Sequence, residues 1–110
     1  MDEETDAAGV EFITPLGRID LLAVDTACGF VVVELKVSRG SDVVFGQVAR
    51  YMAWVEKHLA KGNRVRGFIV ANNITENLRY AASRDSAVRL MEYEIEFRVK
   101  PVTEPVDLGS

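Results

Sequence analysis

The sequence predicts an α/β domain with a mixed central sheet of about five strands flanked by helices, its elements in the order β-β-β-α-β-α-β. Three observations carry this. Runs with the two-residue alternation of strands are broken by Pro15-Leu16-Gly17 and by Asp25-Thr26-Ala27-Cys28-Gly29, the marks of a β-meander. A stripe of Val44, Val48, Tyr51, Val55 and Leu59 then keeps the 3.6-residue period of a long helix. After it, the near-continuous apolar run at 65–71 reads as a buried strand.

The strands of the meander are expected at 10–14, 18–24 and 30–37. In the second, Ile19, Leu21 and Ala23 oppose Asp20, Leu22 and Val24; in the third, Val31, Val33 and Leu35 oppose Val32, Glu34 and Lys36. One face is wholly apolar, and the other is apolar at one end with carboxylates at the opposite end. Ser41 is a candidate N-cap for a helix over 42–61, which Gly62-Asn63 stops. Asn72-Asn73 is expected to cap a second helix over 74–84. The closing strand, over 88–99, alternates Met91, Tyr93, Ile95, Phe97 and Val99 inward with Glu92, Glu94, Glu96 and Arg98 outward, as on a sheet edge with one wet face. The final strand, helix and strand should form a right-handed parallel crossover. Residues 9–100 thus make one domain. Residues 1–8, acidic and without period, are expected to be a disordered tail, and 101–110, with two of the three prolines, a flexible one.

Composition agrees with one soluble globular domain. At 110 residues, 48% hydrophobic and 27% charged, the chain can bury roughly two-thirds of its unfolded surface without disulfides. Cys28 is the single cysteine and His58 the single histidine, which excludes a disulfide framework, a structural zinc site and chemistry that needs a second histidine. No apolar run approaches a membrane span of roughly 20 residues, and Met-Asp-Glu-Glu is unlike a signal peptide, so the expected location is cytoplasmic. The net charge is −4, but Asp2, Glu3, Glu4 and Asp6 lie before residue 9, and residues 9–101 carry 13 basic against 11 acidic side chains. Whole-chain acidity argues against a strong grip on nucleic acid, although the deficit sits in the two ends.

The chemistry concentrates on Glu34-Leu35-Lys36. Period-two geometry aims the carboxylate and the ammonium at one side of the sheet, and a hairpin around 25–29 brings Asp20 within a residue or two of them on that face. Two carboxylates and the Leu35 carbonyl make a hard-oxygen set suited to Mg²⁺ or Mn²⁺ rather than zinc. The neighbouring Lys36 could orient a water and steady charge on a phosphate. An isolated Glu-x-Lys is usually a solvated pair; this one extends Phe30-Val31-Val32-Val33, a run with the look of a central strand. Gln47 borders the buried stripe of the first helix and could reach the charged edge, or could be an ordinary flank residue. Tyr51, Trp54 and His58 continue that border mainly as packing residues, with the His58 charge favoured near the helix C-terminus. Arg18, Arg39 and Arg50, with Arg64 and Arg66, are candidate phosphate contacts or ordinary surface charge. Residues 38–42 read as a flexible polar loop beside Lys36.

Four blocks resemble one known family. They are Thr14-Pro15-Leu16-Gly17-Arg18-Ile19-Asp20-Leu21-Leu22, Val31-Val32-Val33-Glu34-Leu35-Lys36, Gly46-Gln47-Val48-Ala49-Arg50-Tyr51-Met52 and Val65-Arg66-Gly67-Phe68-Ile69-Val70-Ala71. In this order and spacing they resemble the PD-(D/E)xK nuclease superfamily, and within it the C-terminal nuclease domain of NucS/EndoMS-type DNA endonucleases, over residues 9–99. The resemblance implies a restriction-endonuclease-like core and a metal-dependent DNA endonuclease, a hydrolase of DNA repair. Asp20, Glu34, Lys36 and Gln47 would be its catalytic residues, Asp20, Glu34 and the Leu35 carbonyl its Mg²⁺ or Mn²⁺ ligands, and Arg18, Arg39 and Arg50 its DNA contacts.

The chain departs from the resembled family in lacking its first core helix, its N-terminal DNA-binding and dimerising domain, and a clamp-binding motif. Glu11 is the nearest substitute for a carboxylate from that helix. The expected partners are DNA, held weakly by this chain alone, and either a second copy in a homodimer or a missing N-terminal domain. The competing function is a non-catalytic nuclease-fold module for dimerisation or nucleic-acid binding. With two helices for about five strands, some apolar sheet surface should stay bare.

Overall fold

Both predicted turns form, and a side chain closes each. The computed structural model describes residues 5–103. Strands β1 (Thr5–Thr14), β2 (Gly17–Asp25), β3 (Phe30–Gly40), β4 (Val65–Ile74) and β5 (Val88–Glu92) lie in one sheet in that spatial order, with helices α1 (Asp42–His58) and α2 (Glu76–Ala82). Between β1 and β2, the Thr14 hydroxyl donates to the Gly17 carbonyl at 2.7 Å and accepts from Leu16 N–H at 3.1 Å. Gly17 has φ +139, and a Cβ there would meet the Tyr51 hydroxyl at 2.6 Å, so glycine is required twice over. Between β2 and β3, Asp25 Oδ1 accepts from Ala27 N–H at 3.0 Å and Gly29 N–H at 2.8 Å.

The first three strands are antiparallel, whereas β3 pairs with β4 and β4 with β5 in parallel, each across one helix. The sheet is therefore mixed, in the predicted element order. Leu22, Val32 and Ile69 from the sheet pack with Val44, Val48 and Val55 of α1 and Leu78 of α2 in one core. Both helices share that core. The described residues put no helix on the other face, where Leu35 and Met91 stay exposed.

Several boundaries differ from expectation. β1 starts at Thr5, inside the segment read as a tail, because its backbone pairs Thr5, Asp6 and Ala7 with Asp25, Val24 and Ala23. Residues 1–4 and 104–110 of the expected tails lie outside the described residues; 101–103 have no regular structure. Residues 38–40 are not a loop but the end of β3, since β4 also continues and offers Asn73 and Ile74 as partners to Arg39 and Gly40. That extension takes Asn72 and Asn73 into β4, and Thr75 caps α2 instead, its hydroxyl accepting from Leu78 N–H at 3.1 Å. Ser41 is the N-cap of α1 by backbone shape, but its side chain makes no capping bond. α1 ends at His58, ahead of Gly62.

The closing strand is the largest correction. β5 stops at Glu92, and Ile95, Phe97 and Val99 are exposed rather than inward. The reason is backbone supply. Tyr93 N–H donates to the Ala71 carbonyl at 3.0 Å, while the Glu92 carboxylate, exposed as expected, also accepts Ile74 N–H at 2.9 Å. β4 then gives way to α2, which leaves residues 94–99 no strand to pair with among the described residues.

Candidate active site

The charged end of the β2–β3 hairpin forms because the two strands part there. Their ladder runs from Val24–Phe30 to Leu21–Val33 and stops. At the next position Asp20 would face Glu34, but the Asp20 carboxylate takes over from the backbone, Oδ2 accepting Leu35 N–H at 2.9 Å. Parting opens a cleft of about 840 Å³ bounded by β2, the β1–β2 turn, β3 and α1; its walls include Arg18, Asp20, Glu34, Lys36, Gln47 and Tyr51. The cleft lies toward the C-terminal end of β3, next to a parallel neighbour, the usual position for a site in an α/β sheet.

Glu34 is the buried charge of this cleft, only 4% exposed. Its Oε2 is 3.2 Å from the Lys36 ammonium, and its Oε1 is buried with no hydrogen-bond partner among the described residues. Burial pushes the Glu34 carboxyl above the usual glutamate range; Lys36 pulls it back, and the neighbouring Asp20 charge adds to the rise. An unpaired buried carboxylate oxygen is costly, so it marks a position that expects a cation or a proton.

Gln47 hangs over the cleft from α1, its amide donating to the Tyr51 hydroxyl at 3.2 Å. Tyr51 is buried, and its hydroxyl also lies against Gly17. Expected mainly to pack, Tyr51 instead ties the glutamine to the β1–β2 turn. The i, i+4 spacing of Gln47 and Tyr51 is the signal for this contact. Tyr93 carries no such signal: its hydroxyl donates to the Lys36 carbonyl at 3.2 Å across 57 residues of sequence. Trp54 and His58 stack away from the cleft, with centroids 4.8 Å apart.

The arginines divide. Arg18 lines the cleft mouth, exposed and 3.5 Å from Glu11, so Glu11 balances Arg18 rather than adding to the carboxylates. Arg39 and Arg50 are exposed on β3 and α1 outside the cleft walls. Arg66 does not ring the cleft; it pairs with Asp25 at 3.2 Å at the opposite end of the sheet, next to Arg64. Among the described residues no three acidic, histidine or cysteine side chains gather as a metal site. The cleft holds two carboxylates, Asp20 and Glu34, and one Glu34 oxygen is buried with no partner among the described residues, so these hard oxygens suit a magnesium-sized ion that keeps some of its own waters.

A mixed α/β sheet with one acidic, lysine-bearing cleft at a parting of strands defines the class. The chain belongs to the family described as Endonuclease NucS C-terminal domain, whose profile matches residues 3–104. It is 41% identical over 64 residues to an Endonuclease NucS of Pyrococcus furiosus, covering 57% of this chain and 23% of that protein. It is 34% identical over 67 residues to an Endonuclease NucS of Sulfolobus acidocaldarius, covering 61% and 26%. The chain thus spans about a quarter of those relatives. In fold it is similar to a repair endonuclease from Pyrococcus abyssi, with TM-score 0.72 and 25% identity over 84% of this chain and 39% of that one. It also resembles the protein of an EndoMS–dsDNA2 complex, with TM-score 0.72 and 20% identity over 89% and 40%. No described helix is long and apolar enough to cross a membrane.

Proposed function

We propose that this chain is a DNA endonuclease domain, of the PD-(D/E)xK type, that hydrolyses phosphodiester bonds with Mg²⁺ or Mn²⁺. The observation that carries the reading is the buried, unpartnered Glu34 Oε1 in a cleft shared with Asp20 and Lys36. Asp20, Glu34 and the Leu35 carbonyl would hold the ion, which when bound supplies Lewis-acid charge to the phosphate and activates water.

The protein's own groups do the rest. The Lys36 ammonium, a third exposed and held by Glu34, can orient a water or offset charge growing on a phosphate. Gln47, fixed by Tyr51, positions the water or the lysine. Arg18 at the mouth, with Arg39 and Arg50 farther out, would hold the DNA backbone. Family membership and the name of the DNA-bound neighbour support DNA as the partner. The surface left without a layer, Leu35 and Met91 on the sheet and the 95–99 segment beyond it, supports a homodimer.

The test is cleavage of labelled double-stranded, mismatched and single-stranded DNA while Mg²⁺ or Mn²⁺ is titrated, beside calorimetry of Mn²⁺ binding without DNA. Cation-dependent cleavage and Mn²⁺ binding that are both lost in Glu34→Ala are expected. Binding unchanged in that variant would refute the ligand assignment, and cleavage unaffected by a chelator would refute the cation requirement.

A further inference from the structure

Past Tyr93 the chain runs on without a strand partner among the described residues. Residues 94–103 have no regular secondary structure and every one is exposed. Yet Glu94-Ile95-Glu96-Phe97-Arg98-Val99-Lys100 alternates strictly, and Ile95, Phe97 and Val99 are 65%, 83% and 93% exposed. A β-prone run with open backbone is a template for strand pairing.

The order of its charges says with what. The first half is acidic and the second basic. Laid antiparallel on a copy of itself about Phe97, the segment sets Glu94 opposite the partner's Lys100, Glu96 opposite the partner's Arg98, and Ile95 opposite the partner's Val99. Moving the axis one residue either way sets Glu96 against Glu96, or Arg98 against Arg98. Moving it half a residue sets charges against apolar side chains. Pro101, which has no N–H, would oppose Tyr93, whose N–H already serves Ala71, so the ladder ends where both strands run out of donors.

We infer that residues 94–100 form a self-complementary antiparallel interface, centred on Phe97, through which two copies of this chain associate. The inference rests on the homodimer reading above and is independent of the nuclease chemistry. Two-fold pairing gives each segment the backbone partners that β4 cannot, and it collects Ile95, Phe97 and Val99 of both copies on one face.

Sedimentation equilibrium of the full chain at micromolar concentrations should give roughly twice 12.2 kDa. Glu94→Lys with Glu96→Lys, and separately Arg98→Glu with Lys100→Glu, should each sediment as monomers, and an equal mixture of the two should return to the dimer mass. In a Cys28→Ser background, Phe97→Cys should oxidise to a covalent dimer, whereas Ile95→Cys should do so only when mixed with Val99→Cys. The substituted side chains lie outside the core, so an unchanged far-ultraviolet circular-dichroism spectrum of the monomeric variants separates lost association from lost folding. A monomeric wild type overturns the homodimer reading and the interface together. A dimer that survives in each charge variant alone overturns this interface and leaves the dimer standing.

Discussion

The two ends of the β2–β3 hairpin each hold a buried or half-buried carboxylate, and they treat it in opposite ways. At the turn, Asp25 has partners on both oxygens: Gly29 and Ala27 donate to one, and Arg66 donates to the other at 3.2 Å. The Gly29 N–H, then Ala27 and Arg66, hold its carboxyl below the usual aspartate range. At the parted end, Glu34 is more deeply buried, has one ammonium on one oxygen and nothing on the other, and its carboxyl is pushed up. A carboxylate with both oxygens answered within the fold is a structural part. Glu34, with one oxygen unanswered among the described residues and open to a cleft, is the candidate for a partner from outside.

The largest expected effect separates those roles. Glu34→Ala should cut DNA cleavage by roughly 10²-fold or more, the loss expected when several kcal/mol of charge stabilisation goes. Its melting temperature should hold or rise, since an unsatisfied charge leaves the interior. Asp25→Ala should do the reverse, lowering the melting temperature and leaving cleavage of DNA near wild type. Glu34→Ala unfolding, with Asp25→Ala melting as wild type, would invert the comparison.

Next comes backbone fit. Gly17→Ala places a Cβ at 2.6 Å from the Tyr51 hydroxyl at φ +139, and should cost about 1–3 kcal/mol in denaturant unfolding while loosening Gln47. Gly29→Ala meets Asp25 Oδ2 at 2.8 Å and the Arg64 carbonyl at 3.0 Å. It should destabilise as well but spare cleavage, which tells the two ends apart a second time.

The pH response should differ in sign. Asp25, lowered in the folded state, contributes stability above the ordinary aspartate value that is lost as pH falls through the lowered one. Glu34, raised, favours the folded state at acid pH, and that contribution is lost as pH rises from the ordinary glutamate value through the raised one. Mn²⁺ affinity should therefore begin to fall, on acidification, at a higher pH than an ordinary glutamate would dictate. Carbon-detected NMR titration of the two carboxyls reads both directions.

The smallest effect is long-range. Deleting residues 1–4 removes three negatives and should tighten DNA binding by no more than a fewfold at low salt, an advantage that fades as salt is raised. No change at any salt would set that segment apart from the cleft.

Most of the fold was legible because its signals are local. Pro15-Leu16-Gly17 and the Asp25 turn announce hairpins, the period of Val44 to Val55 announces α1, and the alternation through Glu34 and Lys36 aims both at one face. Asp20, Glu34, Lys36 and Gln47 do meet in one cleft, as those periods imply. The Arg66–Asp25 pair was not legible, because the partners lie 41 residues apart and nothing in the sequence joins them.

What the sequence determined by itself was the order of elements, the turn positions and the face each strand residue takes, since these follow from dihedral preferences and repeat periods within a few residues. Only the tertiary structure decided where pairing stops. That β2 and β3 part after Leu21–Val33, that β3 runs on to Gly40, and that β5 ends at Glu92 all depend on whether a neighbouring strand has a free N–H or C=O to offer. The same accounting left Glu34 Oε1 alone in the cleft, a state no pattern of residues along a single strand can express.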